Sequence, residues 1–200
     1  LASSAFLNTF FAPAAAALAW GLAELFLHGK ISGVGLASGA VAGMVAITPA
    51  AGFVKPVPAL FLGAAAALAS FTAVRIRPRL GLDDSLDVFA VHGVAATLGA
   101  ILTGALASAA VNAGGADASP LLVAKQALGV LVTMVFSGAV SFGLLKLVSL
   151  VTALRVDEQD EWTGLDAAEA GERGYIMADE SAFGPSASAV PLPGPVAHAQ

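Results

Sequence analysis

Five apolar runs divide this sequence, each long enough to leave water altogether. They cover about residues 5–28, 33–54, 57–76, 84–111 and 121–153. A helix crosses a ~30 Å hydrocarbon core with roughly 20 apolar residues. A backbone that finds no water there must bond to itself, so such runs fold as helices. Composition agrees: only 12% of the residues are charged and 58% are hydrophobic, where a soluble domain carries about 25% charge. The mean hydropathy is +0.85. The reading is an all-α integral membrane protein with five transmembrane helices. The fifth run would reach about 50 Å as one helix, so it is expected to tilt, kink or project into water.

Charge gives the orientation. Lys30, Arg75, Arg77, Arg79 and Arg155 fall on one side of the five spans, and Lys55 and Lys125 fall on the other. The excess of basic residues places the first side, with the C-terminal tail, in the cytoplasm. The chain begins at Leu1 without a basic leader, which predicts that it is part of a longer protein and carries no signal peptide here. Residues 1–155 form the transmembrane domain and 156–200 an acidic cytoplasmic tail, expected to be disordered after about residue 176.

The spans are made to pack closely. Gly35, Gly39 and Gly43 repeat at helical spacing in the second, and Ala96, Ala100 and Gly104 in the fourth. In lipid, small residues at such spacing let helix backbones approach. Pro49, in Ile47-Thr48-Pro49-Ala50, removes a backbone donor and is expected to kink or end the second helix. The carbonyl it frees beside Thr48 then meets either water or a neighbouring helix. Pro13 poses the same question in the first span.

Soluble chemistry has little to stand on. The chain has no cysteine, and its three histidines, His28, His92 and His198, are scattered, which leaves no metal site. No phosphate loop or nucleophile elbow appears, and Ser38, Ser137 and Ser141 have no adjacent base. No cofactor, enzyme activity or nucleic-acid partner is expected. His92 stands apart because it follows Asp83, Asp84 and Asp87 into an almost wholly apolar run. Nine helical residues from Asp83 put it about 13 Å deep, near mid-membrane. An ionisable group at that depth is costly and points to function. A neutral imidazole both donates and accepts hydrogen bonds, which suits a small polar solute or a proton relay. The alternative use is packing, as a histidine bonded to a neighbouring helix. On an ideal helix Ser85, Val88, Phe89, Ala95, Ala96, Gly99 and Thr103 share its face. Asp83 and Asp84 suit the first turn of that helix, where carboxylates complement its unpaired N–H groups. Asp87 lies a turn deeper, where a buried partner or a gating role is expected.

Asp83-Asp84-x-x-Asp87-Val88-Phe89-x-Val91-His92-Gly93-Val94 resembles the signature helix of the ammonium transporter (Amt/Mep/Rh) family. The second span, with Gly39-x-Val41-Ala42-Gly43 and Ile47-Thr48-Pro49-Ala50-Ala51-Gly52, resembles that family's eighth helix. Asn8-Thr9, the alanine run and Trp20 resemble its seventh. Leu154-Arg155-Val156 and Gly164-Leu165-Asp166 with Gly171-Glu172 resemble its C-terminal region. The match covers about residues 5–175 in order.

The resemblance implies helices 7–11 of an eleven-helix fold, in a homotrimer with one pore per subunit. It implies a plasma-membrane location (the inner membrane in a bacterium) and a P-II-type signal protein as partner at the cytoplasmic face. It assigns His92 to the pore as the second of two stacked histidines, with Val88 lining the pore and Asp87 at its inner end. Asp84, Thr48, Pro49, Ser38 and Asn8 become supporting positions. Ammonium would be deprotonated at an outer vestibule and pass as ammonia. Two residues depart from the family pattern. Ala96 stands where glycine is usual, and Ala170 where histidine is usual. The partner histidine and the gate aromatics belong to helices outside this sequence. Two other readings remain open: an ammonium sensor acting through its tail, and an inactive truncated remnant.

Overall fold

The computed structural model describes residues 1–171. Those residues fold into helices joined by turns and loops, and the only strand-like contact among them is a single antiparallel bridge between Val54 and Ala107. The long helices are α1 (Ala2–His28), α2 (Gly33–Ile47), α3 (Pro56–Ile76), α4 (Ala95–Leu106) and α5 (Pro120–Val148), followed by a short α6 (Glu158–Thr163). Among the described residues four segments are long and apolar enough to span a membrane: Ala2–His28, Pro56–Leu80, Phe89–Leu106 and Pro120–Val148. The chain forms a first compact unit, Leu1–Ser141, and a second that begins at Phe142.

Three spans differ from the expected bounds. The second was expected to run to about residue 54, but α2 ends at Ile47 after 15 residues. Pro49 cannot donate, and the chain continues as tight turns in which Ala51 N–H bonds Ile47 O and Val54 N–H bonds Ala50 O. The fourth was expected to be helical from about residue 84, but regular helix starts only after Asp87. The fifth was expected to reach about residue 153, but α5 stops at Val148 as a single 29-residue helix with no buried residue. It still measures about 43 Å, longer than one perpendicular crossing. Pro13 does not interrupt α1, which runs unbroken for 27 residues.

The core of the first unit is built from close backbone approach. A Cβ on Gly43 would lie 2.8 Å from the Ala12 carbonyl and from the Pro13 Cα, and one on Gly39 2.6 Å from Trp20 Cβ. Gly63 of α3 meets the Ala12 carbonyl from the other side, and Gly99 of α4 lies on the Ala46 carbonyl. The small residues of the second span therefore do what their spacing predicted. In the fourth span the tight contacts fall on Gly99 and Gly104, while Ala96 is exposed. Fully buried Ala12, Ala16, Ala42, Ala46, Ala59, Ala66 and Ala67 fill the space between α1, α2 and α3. Trp20 and Phe71 meet edge to face at 5.3 Å. At one end of this unit the C-terminal turns of α1 and α3 come together, with Arg75 Nη1 3.3 Å from His28 Nε2.

Candidate functional site

The candidate residues lie at two ends of the first unit. At the end where α1 begins and α4 finishes, Asn8 is completely buried. Its Nδ2 donates to the carbonyls of Ala51 and Val54, at 2.8 Å each. These carbonyls belong to the turns after Pro49, so a side chain of α1 anchors the connection between α2 and α3. The carbonyls at the end of α2 are met by the chain itself: Val45 O accepts from Thr48 N–H at 3.3 Å, and Ile47 O accepts from Ala50 N–H and Ala51 N–H. Pro49 is half-buried. Thr48 is exposed and its hydroxyl donates back to the Met44 carbonyl at 2.8 Å. The same end is fastened to α4 by Ser108 N–H, which donates to Phe53 O at 2.8 Å. Ser38 is half-buried in the first half of α2, away from this cluster.

The other end carries the charge. After α3 the chain makes a 3₁₀ turn, Arg77–Leu80, and reverses at Gly81, whose φ is +64°. Asp84 then caps the next helix: its two carboxylate oxygens accept from Val88 N–H and Phe89 N–H, at 2.8 Å each. A cap of this kind contributes about 1 kcal/mol. The expected dipole role of Asp84 holds, but from outside the helix and not within its first turn. Asp87 has φ +55°, the left-handed region, which costs a residue with a Cβ about 1 kcal/mol. Its carbonyl accepts from Val91 N–H at 2.8 Å. Its carboxylate has the partner that sequence could not name: Arg77 Nη1 lies 2.6 Å from Oδ1, with both side chains about a quarter to a third exposed. Oδ1 receives no well-aligned hydrogen bond, so the attraction is chiefly that of an ion pair. The same guanidinium also donates to the Asp84 carbonyl.

His92 follows at once, inside a π-helical segment, Phe89–Val94, that leads into α4. Two expectations change here. The depth of about 13 Å counted helix from Asp83, yet only the residues from Val88 on are helical, which leaves about 6 Å of helical rise to His92. The shared face also divides. Ser85, Val88, Phe89, His92 and Ala96 are exposed, whereas Ala95, Gly99 and Thr103 are buried. A π turn holds one more residue than an α turn, so the positions beyond it are rotated by about 100° from an ideal-helix projection. His92 therefore presents an exposed imidazole beside Val88, which is 50% exposed, and Phe89, which is 59% exposed. No hydrogen bond to it is made among the described residues.

Two anchoring residues escaped the sequence reading. Arg77 entered only as one of several loop charges, although Arg-Pro-Arg shortly before Asp-Asp is a pattern that could have signalled a pair. Glu24 received no role, yet its carboxylate accepts from Ser32 N–H at 2.7 Å and from the Ser32 hydroxyl at 3.0 Å. Ser32 in turn accepts from Gly35 N–H and caps α2. In the second unit Arg155 pairs with Glu161 at 3.5 Å, on well-exposed side chains. The expected disorder beyond residue 176 and the Glu172 end of the tail pattern lie outside the described residues.

The chain matches the family model described as the Ammonium Transporter Family over residues 1–175. It is 41% identical over 180 residues to an ammonium transporter of Bacillus subtilis (strain 168), covering 88% of this chain and 45% of that protein. An ammonium transporter of Aquifex aeolicus (strain VF5) is 42% identical over 181 residues, covering 88% and 42%. Among solved structures, Mep2 of Saccharomyces cerevisiae aligns with a TM-score of 0.73 at 31% identity, covering 79% of this chain and 38% of that one. The chain thus spans less than half the length of the curated relatives it matches.

Proposed function

The chain belongs to the ammonium transporter family, and we propose that it forms the C-terminal portion of an ammonium-conducting protein in which His92 lines the path. It is a multi-pass membrane protein by its apolar helices and its relatives. The observation that carries the conduction reading is the exposed His92 on a helix face otherwise made of Val88, Phe89 and Ala96. A polar ring left open on an apolar face, in a chain shorter than half its relatives, fits a surface that the remainder of a longer protein covers.

The chemistry follows from cost. A bare ammonium ion entering an apolar passage loses its hydration without repayment, whereas neutral ammonia does not carry that penalty. A neutral imidazole accepts from one N–H of ammonia or donates to its lone pair, and so guides the molecule without trapping a charge. Val88 keeps the neighbouring wall apolar. Asp87 and Asp84 hold the start of the helix, and Asn8, Thr48, Pro49 and Ser38 belong to the scaffold around it. The cluster of His28, Lys30, Arg75, Arg77 and Arg79 at one end of the unit supports a cytoplasmic placement of that end, in the plasma membrane, with the tail on the same side. A trimer with one pore per subunit and a P-II-type regulator at the cytoplasmic face complete the proposal.

The test is ammonium flux into vesicles containing the full-length protein with His92→Ala. Loss of flux, or conduction of other monovalent cations in its place, is the expected result. Flux and selectivity equal to those of the unaltered protein would remove His92 from the path. Binding of ammonium without sustained flux in the unaltered protein would favour a sensor.

A further inference from the structure

We infer that Arg77 is the positioning residue for the histidine turn, setting the height and direction of His92 from the end of the preceding helix. The inference rests on the conduction role proposed for His92. Arg77 touches both ends of the link that launches the histidine helix: it donates to the Asp84 carbonyl and pairs with the Asp87 carboxylate at 2.6 Å. Those two residues hold the first helical N–H groups, Asp84 through Val88 and Phe89, and Asp87 through Val91. His92 is the next residue. A shift of the guanidinium therefore passes to the imidazole through two short bonded steps.

Apolar packing seats one face of the turn, through buried Ala90 and Val91, and leaves its start to the ionic contact. A cavity of about 180 Å³ lies between the end of α3 and the π turn, bordered by Ala73, Ile76, Leu82, Phe89 and Ala90 together with the Arg77 and Asp84 side chains. The ionic contact lies beside that groove and ties the start of the turn to the end of α3. The left-handed backbone of Asp87 points the same way, since a conformation disfavoured for a residue with a Cβ persists where its surroundings hold it. Both contacts are made by one nitrogen, Arg77 Nη1, so a single corner of the guanidinium meets the carbonyl and the carboxylate at once.

The experiment uses the full-length protein with Arg77→Gln, Arg77→Lys, Asp87→Asn and the Arg77→Gln/Asp87→Asn double variant, each beside His92→Ala. Flux is measured per folded molecule in vesicles, with ammonium-over-potassium selectivity as the second readout, because fewer folded molecules lower total flux but leave selectivity alone. Arg77→Gln is expected to lower flux per molecule by about tenfold, the scale on which losing an orienting partner acts, and to change selectivity in the direction of His92→Ala. Arg77→Lys should recover part of both, and the double variant should be no worse than Arg77→Gln. If Arg77→Gln does not fold, Asp87→Asn, which keeps the side chain's size, carries the same expectation. Unaltered flux and selectivity in Arg77→Gln or, failing that, in Asp87→Asn, beside an impaired His92→Ala, overturn the clamp alone. An unimpaired His92→Ala overturns the conduction role beneath it.

Discussion

The two ends of the first unit solve the same problem with opposite chemistry. Both must hold a connection between helices whose backbone groups lack partners. At one end a neutral amide, Asn8, does so while fully buried, donating to two carbonyls. At the other, Arg77, Asp84 and Asp87 do so with charge, and remain partly exposed. A neutral donor repays its burial with hydrogen bonds, whereas a charge keeps some water because full desolvation costs more than pairing returns. The buried lock should be strong and indifferent to solution conditions, and the charged one weaker and adjustable. The histidine turn sits on the adjustable end.

That contrast can be broken in order of effect. Asn8→Ala is expected to be the most damaging, because it leaves the Ala51 and Val54 carbonyls without a donor in a dry site. A loss of about 3 kcal/mol follows from the cost of unpaired buried groups, read as a lower unfolding midpoint in detergent; a change below about 0.5 kcal/mol would show that other donors replace it. Asp84→Ala should cost about 1 kcal/mol as a lost cap, with faster amide exchange at Val88 and Phe89 and none of the change reaching Ala51 or Val54. Raising the salt should do least. It should loosen the Arg77–Asp87 pair by less than about 1 kcal/mol, as expected for a partly exposed ion pair, and leave the Asn8 end unchanged. Equal salt sensitivity at both ends, measured by amide exchange, would erase the distinction.

Much of the architecture could be read from the chain because lipid imposes it. Apolar runs of crossing length leave the backbone few choices, so the five helices appear near their expected places, and the Gly39–Gly43 repeat packs as its spacing foretold. What stayed hidden was set across space. Nothing local in Asp83–Val94 marks the π turn, because almost every residue after Asp87 is apolar and periodicity has no polar face against which to register. The early end of α2 was half legible: Pro49 announced it, but nothing local showed that Asn8, more than forty residues away, anchors the turns beyond it. The Arg77–Asp87 pair was hidden for the same reason, since a loop arginine looks like a topology signal until the chain folds back on it. Glu24 was overlooked as a lone acid in a span, although it holds Ser32, the cap of the following helix.

The π turn at Phe89–Val94 has a consequence for how this helix can change over generations. Point substitutions alter what stands on a helix face, but they do not turn the face. A single codon lost within the turn would convert it to ordinary α-helix and swing everything on one side of it by about a quarter of a revolution relative to the other. With α4 held in place by Gly99 against Ala46, the part that must swing is the segment from Asp84 to His92. The direction of the imidazole is thus tuned in whole-residue steps of chain length, and a variant lacking Val94 should lose flux even though every side chain assigned to conduction is still present.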